Sequence, residues 1–248
     1  MTKRVALVTG GNGGIGSAIC RELAAQGNLV VAGYFPPEKE SAEAWQQQMA
    51  DQGISIELAA MDVSSYEDSE RAVNEVAEKF GPVEILVNCA GITRDGTLKK
   101  MPEGNWKAVM ATNLDSAFNT TRHVINGMLE KGWGRIVNIA SVNGQRGQFG
   151  QANYSAAKAG MHGFTMAVAL ETAAKGITVN TVSPGYIATP MTEAMPEKVL
   201  EAIVNSVPMR RMGKPEEIAN TVAWLASEEN AYTTGANIPV NGGLFTSH

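Results

Sequence analysis

Short apolar runs alternate with longer amphipathic stretches along the whole chain. Residues 5–9, 29–34, 54–60, 85–89, 135–141, 177–183 and 237–240 form strand-sized runs rich in Val, Ile and Leu. Continuous apolar runs of this length predict strands buried on both faces. Between them, 15–26, 41–52, 66–80, 105–130 and 153–175 carry apolar positions at helical spacing. Strand-helix-strand repetition predicts an α/β fold: one doubly wound domain over 1–248, with a seven-stranded parallel sheet and helices on both faces. Residues 190–215 break the rhythm, running Pro190-Met191-Thr192-Glu193-Ala194-Met195-Pro196 into a short helix at 197–205. A Met-rich, Pro-punctuated insertion beyond the carboxyl end of a strand predicts a lid over a site.

Charge narrows the class of partner. Lys plus Arg number 20 against 25 Asp plus Glu, a net of −5, whereas nucleic acids and anionic membranes call for a basic excess. The two cysteines, Cys20 and Cys89, lie far apart, and His123, His162 and His248 share no ligand spacing. Neither a disulfide framework nor a metal site is expected. The longest apolar runs are strand-sized, and the run at 5–8 is shorter than the roughly 7–15 residues of a signal-peptide core. These features predict a cytoplasmic protein with no membrane span and no nucleic-acid partner.

The first run leads into Thr9-Gly10-Gly11-Asn12-Gly13-Gly14-Ile15-Gly16 and then a helix. The string reads both as G-x-G-x-x-G and as T-G-x-x-x-G-x-G. Glycines at this strand-to-helix turn let the backbone approach a pyrophosphate, and the helix start offers free N–H groups and its positive dipole end. The reading is a Rossmann-type dinucleotide cradle of Gly10, Asn12, Gly13, Gly14, Ile15 and Gly16. The second strand ends Gly33-Tyr34-Phe35 without the carboxylate that would bind an NAD ribose. That absence favours NADP(H), with Lys39 in reach of a 2′-phosphate. Asp62-Val63, after the third strand, reads as an adenine contact or as a helix cap.

Further candidates line up at strand carboxyl ends, where open α/β sheets bind ligands. The fourth strand ends Asn88-Cys89-Ala90-Gly91, the fifth ends at Ser141, and Tyr154-Ser155-Ala156-Ala157-Lys158 opens a helix. Tyr154 and Lys158 at i and i+4 share a helical face. A unit charge about 4 Å from a phenol, at an effective dielectric near 20, offers about 4 kcal/mol, enough to acidify it after desolvation losses. Tyr154 is thus expected to protonate a carbonyl as hydride arrives from a nicotinamide. Ser141 is expected to steady the oxyanion, and Asn113 to hold Lys158 through backbone or water.

Thr9-Gly10-x-x-x-Gly14-x-Gly16, Asn88-x-Ala90-Gly91, Asn113, Ser141, Tyr154-x-x-x-Lys158 and Pro184-Gly185 together resemble the short-chain dehydrogenase/reductase family over the whole chain. Cys89 departs from the pattern, since many members carry a second Asn there. The resemblance implies the strand order 3-2-1-4-5-6-7 and a catalytic tetrad of Asn113, Ser141, Tyr154 and Lys158. It implies that Lys158 binds the nicotinamide ribose, that Asn88, Ala90, Gly91, Pro184, Gly185 and Ile187 flank the cofactor, and that Thr189 lies near its nicotinamide end. It also implies a homotetramer packed through the helices that carry Asn113 and Tyr154. Gly91-Ile92-Thr93-Arg94-Asp95 and the stretch from Ser141 to Tyr154 closely resemble a narrower group, the NADP-dependent acetoacetyl-CoA reductases of polyhydroxybutyrate synthesis. That likeness implies an acyl-CoA thioester substrate, reduced to the (R)-3-hydroxyacyl-CoA. Gln148 and Gln151 would then bond an acyl or pantetheine carbonyl or amide, Phe149 and Tyr186 would cover the acyl chain, and Asp95 and Lys100 would hold the pantetheine and phosphate end. The rival readings are a 3-oxoacyl-acyl-carrier-protein reductase and a non-catalytic NADP-sensing scaffold. Glu130-Lys131-Gly132-Trp133 is less basic than an acidic carrier protein would favour, so CoA ranks first.

Overall fold

A computed structural model describes residues 3–189, 192 and 196–246. Seven parallel strands form one sheet: β1 (Val5–Thr9), β2 (Leu29–Tyr34), β3 (Glu57–Ala60), β4 (Ile85–Asn88), β5 (Gly134–Ile139), β6 (Ile177–Pro184) and β7 (Asn237–Val240). Their order is β3-β2-β1-β4-β5-β6-β7, so the direction of winding reverses between β1 and β4. That reversal opens a crevice at the carboxyl edge, where α/β sheets bind their ligands.

Alternation along β1 explains the double winding. Ala6 and Val8 face one helical layer, made by α1 (Gly14–Ala25) and α9 (Pro215–Ala226); Ile19, Leu23, Ile218 and Val222 meet there, all fully buried. Val5 and Leu7 face the other layer, where α3 (Tyr66–Phe80) and α5 (Ser116–Lys131) bring Val73, Val76, Val124 and Met128. Each such side chain contributes about 1.5–3 kcal/mol by burial, which holds the strand ends in fixed register beneath the site.

The helices differ from their sequence reading in instructive places. The single helix expected at 105–130 is α4 (Glu103–Met110), a π-helical turn (Ala111–Asp115) and then α5. Periodicity cannot register a turn that adds one residue without breaking the apolar face. The third strand begins at Glu57 rather than residue 54, and the fifth stops at Ile139. Ser141 caps a short helix α6 (Val142–Arg146) instead of ending the strand. α2 (Lys39–Asp51) and α7 (Ala152–Thr172) follow their predicted spans closely, and α8 (Glu197–Ser206) carries the expected short helix. The proposed lid falls partly on 190–191 and 193–195, which lie outside the described residues. α9 has no counterpart in the sequence reading. No described helix is long and apolar enough to cross a membrane.

Candidate active site

The glycine turn is shaped as a phosphate cradle. Gly10 has φ +64°, and its carbonyl accepts from Gly13 N at 3.1 Å. A Cβ on Gly16 would collide with that carbonyl, so the turn closes only around a bare backbone. α1 starts at Gly14 with Gly13 as N-cap and no side-chain cap, which leaves its first N–H groups for an anion. Thr9 Oγ1 accepts from Cys89 N at 3.0 Å and Ala90 N at 3.1 Å, binding the exit of β4 to the cradle. Gly10, Ala90 and Gly91 thus line one side of the crevice. Asn88 turns its side chain away: Nδ2 donates to Asn138 Oδ1 at 2.8 Å and Oδ1 accepts from Thr120 Oγ1 at 2.6 Å. It pins β4 to β5 and α5.

Beyond the end of β2 the structure brings in a carboxylate that counting from the strand end misses. Glu38 closes the 3-10 turn Pro36–Glu38, and its Oε2 accepts from Asn12 Nδ2 at 3.3 Å. Lys39 opens α2, exposed, with Nζ 3.7 Å from Glu43. Asp62 Oδ1 accepts from Ser64 N and Oγ at 3.0 and 2.6 Å, while Ser65 caps α3; the carboxylate braces the loop rather than the helix. Val63 is buried, its carbonyl bound by Asn119.

Three segments bring Ser141, Tyr154 and Lys158 together. Ser141 Oγ accepts from Asn143 N at 3.1 Å as the cap of α6. Burial pushes the Tyr154 phenol up, the neighbouring Ser141 hydroxyl pulls it down, and the Asp95 carboxylate pushes it up. Lys158, on the next turn of α7, is buried, and its Nζ donates to Ile139 O at 2.7 Å. Burial lowers its pKa to about 8. The expected acidification of Tyr154 by Lys158 is therefore corrected. Nζ sits 5.8 Å from the phenol's ring centre, turned to a backbone carbonyl, and desolvation dominates the phenol.

Asn113 lies in the π-helical turn, fully buried, and grips the loop after β4. Its Nδ2 donates to Ile92 O and Val109 O at 2.9 Å, and its Oδ1 accepts from Ile92 N at 3.2 Å. A Cβ on Gly91 would lie 2.5 Å from Asn113 Oδ1 and 3.6 Å from Lys158 Nζ, so both face the same glycine. Cys89 stands beside this group, its thiol pushed up to about 11 by burial despite the Lys158 charge.

The loop after β4 and the entry to α7 are stitched together. Gly96 N donates to Gly150 O at 2.8 Å, and the buried Asn153, unremarked in the sequence reading, donates to Arg94 O at 3.0 Å. Gln151 bonds both Asp95 and Asn143. Gln148, Phe149 and Lys100 stand at the exposed rim, Phe149 being 88% exposed. Beyond β6, Gly185 N donates to Val240 O at 2.9 Å, and Ile187 pairs with Gly213. Thr189 N donates to Thr192 Oγ1 at 2.8 Å, which fixes the start of the insertion. Tyr186 lines a cavity of about 330 Å³ with Val207, Met209 and Asn241. Pro184 closes β6.

A family model described as enoyl-(acyl carrier protein) reductase matches residues 10–245. The chain belongs to the short-chain dehydrogenase/reductase family. Among its relatives in that family, acetoacetyl-CoA reductase of Allochromatium vinosum is 61% identical over 242 residues, 98% of each chain. Acetoacetyl-CoA reductase of Cupriavidus necator is 54% identical over 244 residues, 98% of this chain and 99% of the relative. A 3-oxoacyl-[acyl-carrier-protein] reductase of Vibrio cholerae is 46% identical over 242 residues, 98% of this chain and 97% of the relative. In this short-chain dehydrogenase/reductase, the switch point of the sheet, the cradle and the Ser141–Tyr154 pair occupy one edge.

Proposed function

We propose that the protein is an acetoacetyl-CoA reductase: it reduces the 3-oxo group of a short 3-oxoacyl-CoA to the (R)-3-hydroxyacyl-CoA with NADPH. The observation that carries the chemistry is a half-buried phenol beside a serine hydroxyl that caps α6, on the same edge as a bare-backbone phosphate cradle. The substrate follows from the relatives at 61% and 54% identity, both named acetoacetyl-CoA reductase.

The uncapped start of α1 and the glycine turn fit a pyrophosphate, and Lys158 would hold the ribose. The nicotinamide, when bound, supplies the hydride. Tyr154 carries its proton at neutral pH, as a phenol does, and burial holds the proton more firmly, so it enters the reaction as an acid. Its O–H donates to the carbonyl oxygen as negative charge develops there. Ser141 accepts the Asn143 N–H, leaving its own proton to donate to the same oxygen. Asn113 holds Ile92 and so fixes the floor under Gly91. Gln148, Phe149, Lys100 and Tyr186 are assigned to the thioester's acyl and pantetheine arm. NADPH is favoured by the carboxylate-free end of β2 and by Lys39, and the Asn12 bond to Glu38 engages the nearest acid. We also assign the chain to a cytoplasmic homotetramer serving polyhydroxybutyrate synthesis.

The test is the loss of NADPH absorbance on adding acetoacetyl-CoA, repeated with NADH and with acetoacetyl-carrier protein. Turnover by NADPH with the CoA ester is expected, and a large kcat/KM preference for the carrier would replace CoA by the carrier. Tyr154→Phe should lose at least about 100-fold in kcat while binding NADPH nearly as well.

A further inference from the structure

Asn88, Asn138 and Thr181 are directly paired neighbours on β4, β5 and β6, so their side chains form one polar row across three strands. The row stands two residues beyond Leu86, Ile136 and Val179, on the same face of the sheet. Helical side chains complete it. Thr120 Oγ1, on α5, donates to Asn88 Oδ1 at 2.6 Å, and Asn88 Nδ2 donates to Asn138 Oδ1 at 2.8 Å. Asn138 Nδ2 donates to Thr165 Oγ1, on α7, at 2.8 Å, and Thr181 Oγ1 donates to the same oxygen at 2.7 Å. All five side chains are buried. One hydroxyl of α7 is thus gripped by β5 and β6 together.

Apolar contact presses a helix onto a sheet without fixing how far along it the helix stands, because such contact is non-directional. Hydrogen bonds do fix it, since they weaken steeply once donor and acceptor part by about half an ångström. Sliding α7 would also leave the Asn138 amide and the Thr181 hydroxyl as buried donors without a partner. Thr165 follows Lys158 by two helical turns and Tyr154 by three, so the three side chains share one stripe of α7. The helix meets β5 again at its catalytic end, where Lys158 Nζ donates to the carbonyl of Ile139, the residue after Asn138.

We propose that Thr165 is a positioning residue: its hydroxyl, held by Asn138 and Thr181, sets where α7 stands along the sheet and so where Tyr154 and Lys158 meet the substrate carbonyl and the cofactor. The inference rests on the proposed reduction, in which those two side chains serve one hydride transfer. It gives the buried polar row a task that the apolar layer beneath it cannot perform.

Steady-state kinetics with acetoacetyl-CoA and NADPH, read beside thermal scans, tests the role. Thr165→Val keeps the shape and removes the acceptor; kcat should fall roughly tenfold, within the about 100-fold that a 1 Å misplacement costs, with both KM values little changed. Thr165→Ser, which keeps the oxygen, should recover most of that rate. Val76→Ala, in the apolar layer on α3, lowers the melting temperature by opening a cavity, and its kcat should stay at the parent value. Should Thr165→Val fail to fold, Thr181→Val carries the test. It removes one bond, leaves no donor unmatched and should lower kcat about threefold, the smaller displacement that one remaining bond permits. An unchanged kcat in folded Thr165→Val, or in Thr181→Val where it stands in, overturns the positioning role. An equal loss of kcat in Thr165→Ser or in Val76→Ala overturns it too. A parent enzyme inactive on acetoacetyl-CoA with NADPH and NADH alike overturns the proposed reduction instead, and this inference with it.

Discussion

Lys158 and Glu38 both carry charge whose setting decides how it behaves. Burial brings the Lys158 ammonium to about 8 from its ordinary 10.5. Below about 8 the group is charged folded and unfolded alike, and the fold bears the desolvation. Between about 8 and 10.5 the folded chain releases the proton first, so the unfolded chain binds more protons and stability rises with pH. Activity should move the other way, with kcat/KM falling above about pH 8 as the ammonium proposed to hold the ribose is lost. Thermal midpoints across that window, for the parent and for Lys158→Met, check the first; the rise should vanish in the variant. A pH profile of kcat/KM checks the second. Glu38 is a different case, exposed and bonded to Asn12 of the glycine turn. Its negative charge opposes a 2′-phosphate nearby. Glu38→Gln should lower KM for NADPH several-fold relative to KM for NADH, read from parallel titrations. The sequence could be searched for an acid at the end of β2, but not for one returned to the cradle by a 3-10 turn.

The π-helical turn between α4 and α5 shows what an element contributes that its residues do not reveal singly. One extra residue per turn aims Asn113 inward, onto Ile92, where it also faces Gly91 and Lys158. Gly91→Ala would place a methyl against Asn113 Oδ1 and displace the loop after β4. We expect kcat to fall by at least about tenfold with the melting temperature lowered only modestly, since a 1 Å displacement costs about 100-fold. Kinetics and a thermal scan of that variant check it. Asn113 was legible as a candidate through its motif, yet the turn that aims it was not, because apolar periodicity runs through 105–130 unbroken. Ser141 was similarly legible in identity but not in place: β5 ends at Ile139, and a cap serves the hydroxyl better than a strand end. Tyr154 and Lys158 share a face as i and i+4 require. Which way Lys158 Nζ turns depends on Ile139 O, a tertiary partner that no local spacing encodes.

For the molecule as a whole, the alternation of buried runs determines a parallel sheet, and the motif resemblance supplies its order, which the structure reproduces. The long-range ties are invisible to such a reading. Thr9 to Ala90, Gly96 to Gly150 and Asn153 to Arg94 join segments remote in sequence, and they, rather than the motifs, give the site its shape. The outer surface carries the apolar side chains on which the proposed assembly would rest. Met166 and Leu170 on α7 are 53% and 86% exposed, and Phe118 on α5 stacks with Tyr66 at 6.0 Å beside a groove lined by Leu114 and Phe164. An apolar face of this kind fits burial against another copy through α5 and α7. Light scattering should give a tetrameric mass for the parent. Leu170→Glu should shift it to dimer or monomer, whereas an unchanged monomeric mass in the parent removes the assembly.

The thiol beside Lys158 has a bearing on handling and on chemical tolerance. With Cys89 pushed up to about 11, on the order of one molecule in ten thousand carries a thiolate at pH 7, and Cys20 is raised as well. Iodoacetamide and mild peroxide attack the thiolate, so this catalyst should keep its rate through an hour of treatment that inactivates proteins with acidic cysteines. Mass spectrometry of the carbamidomethylated peptides, taken alongside residual activity, reads both halves of that expectation.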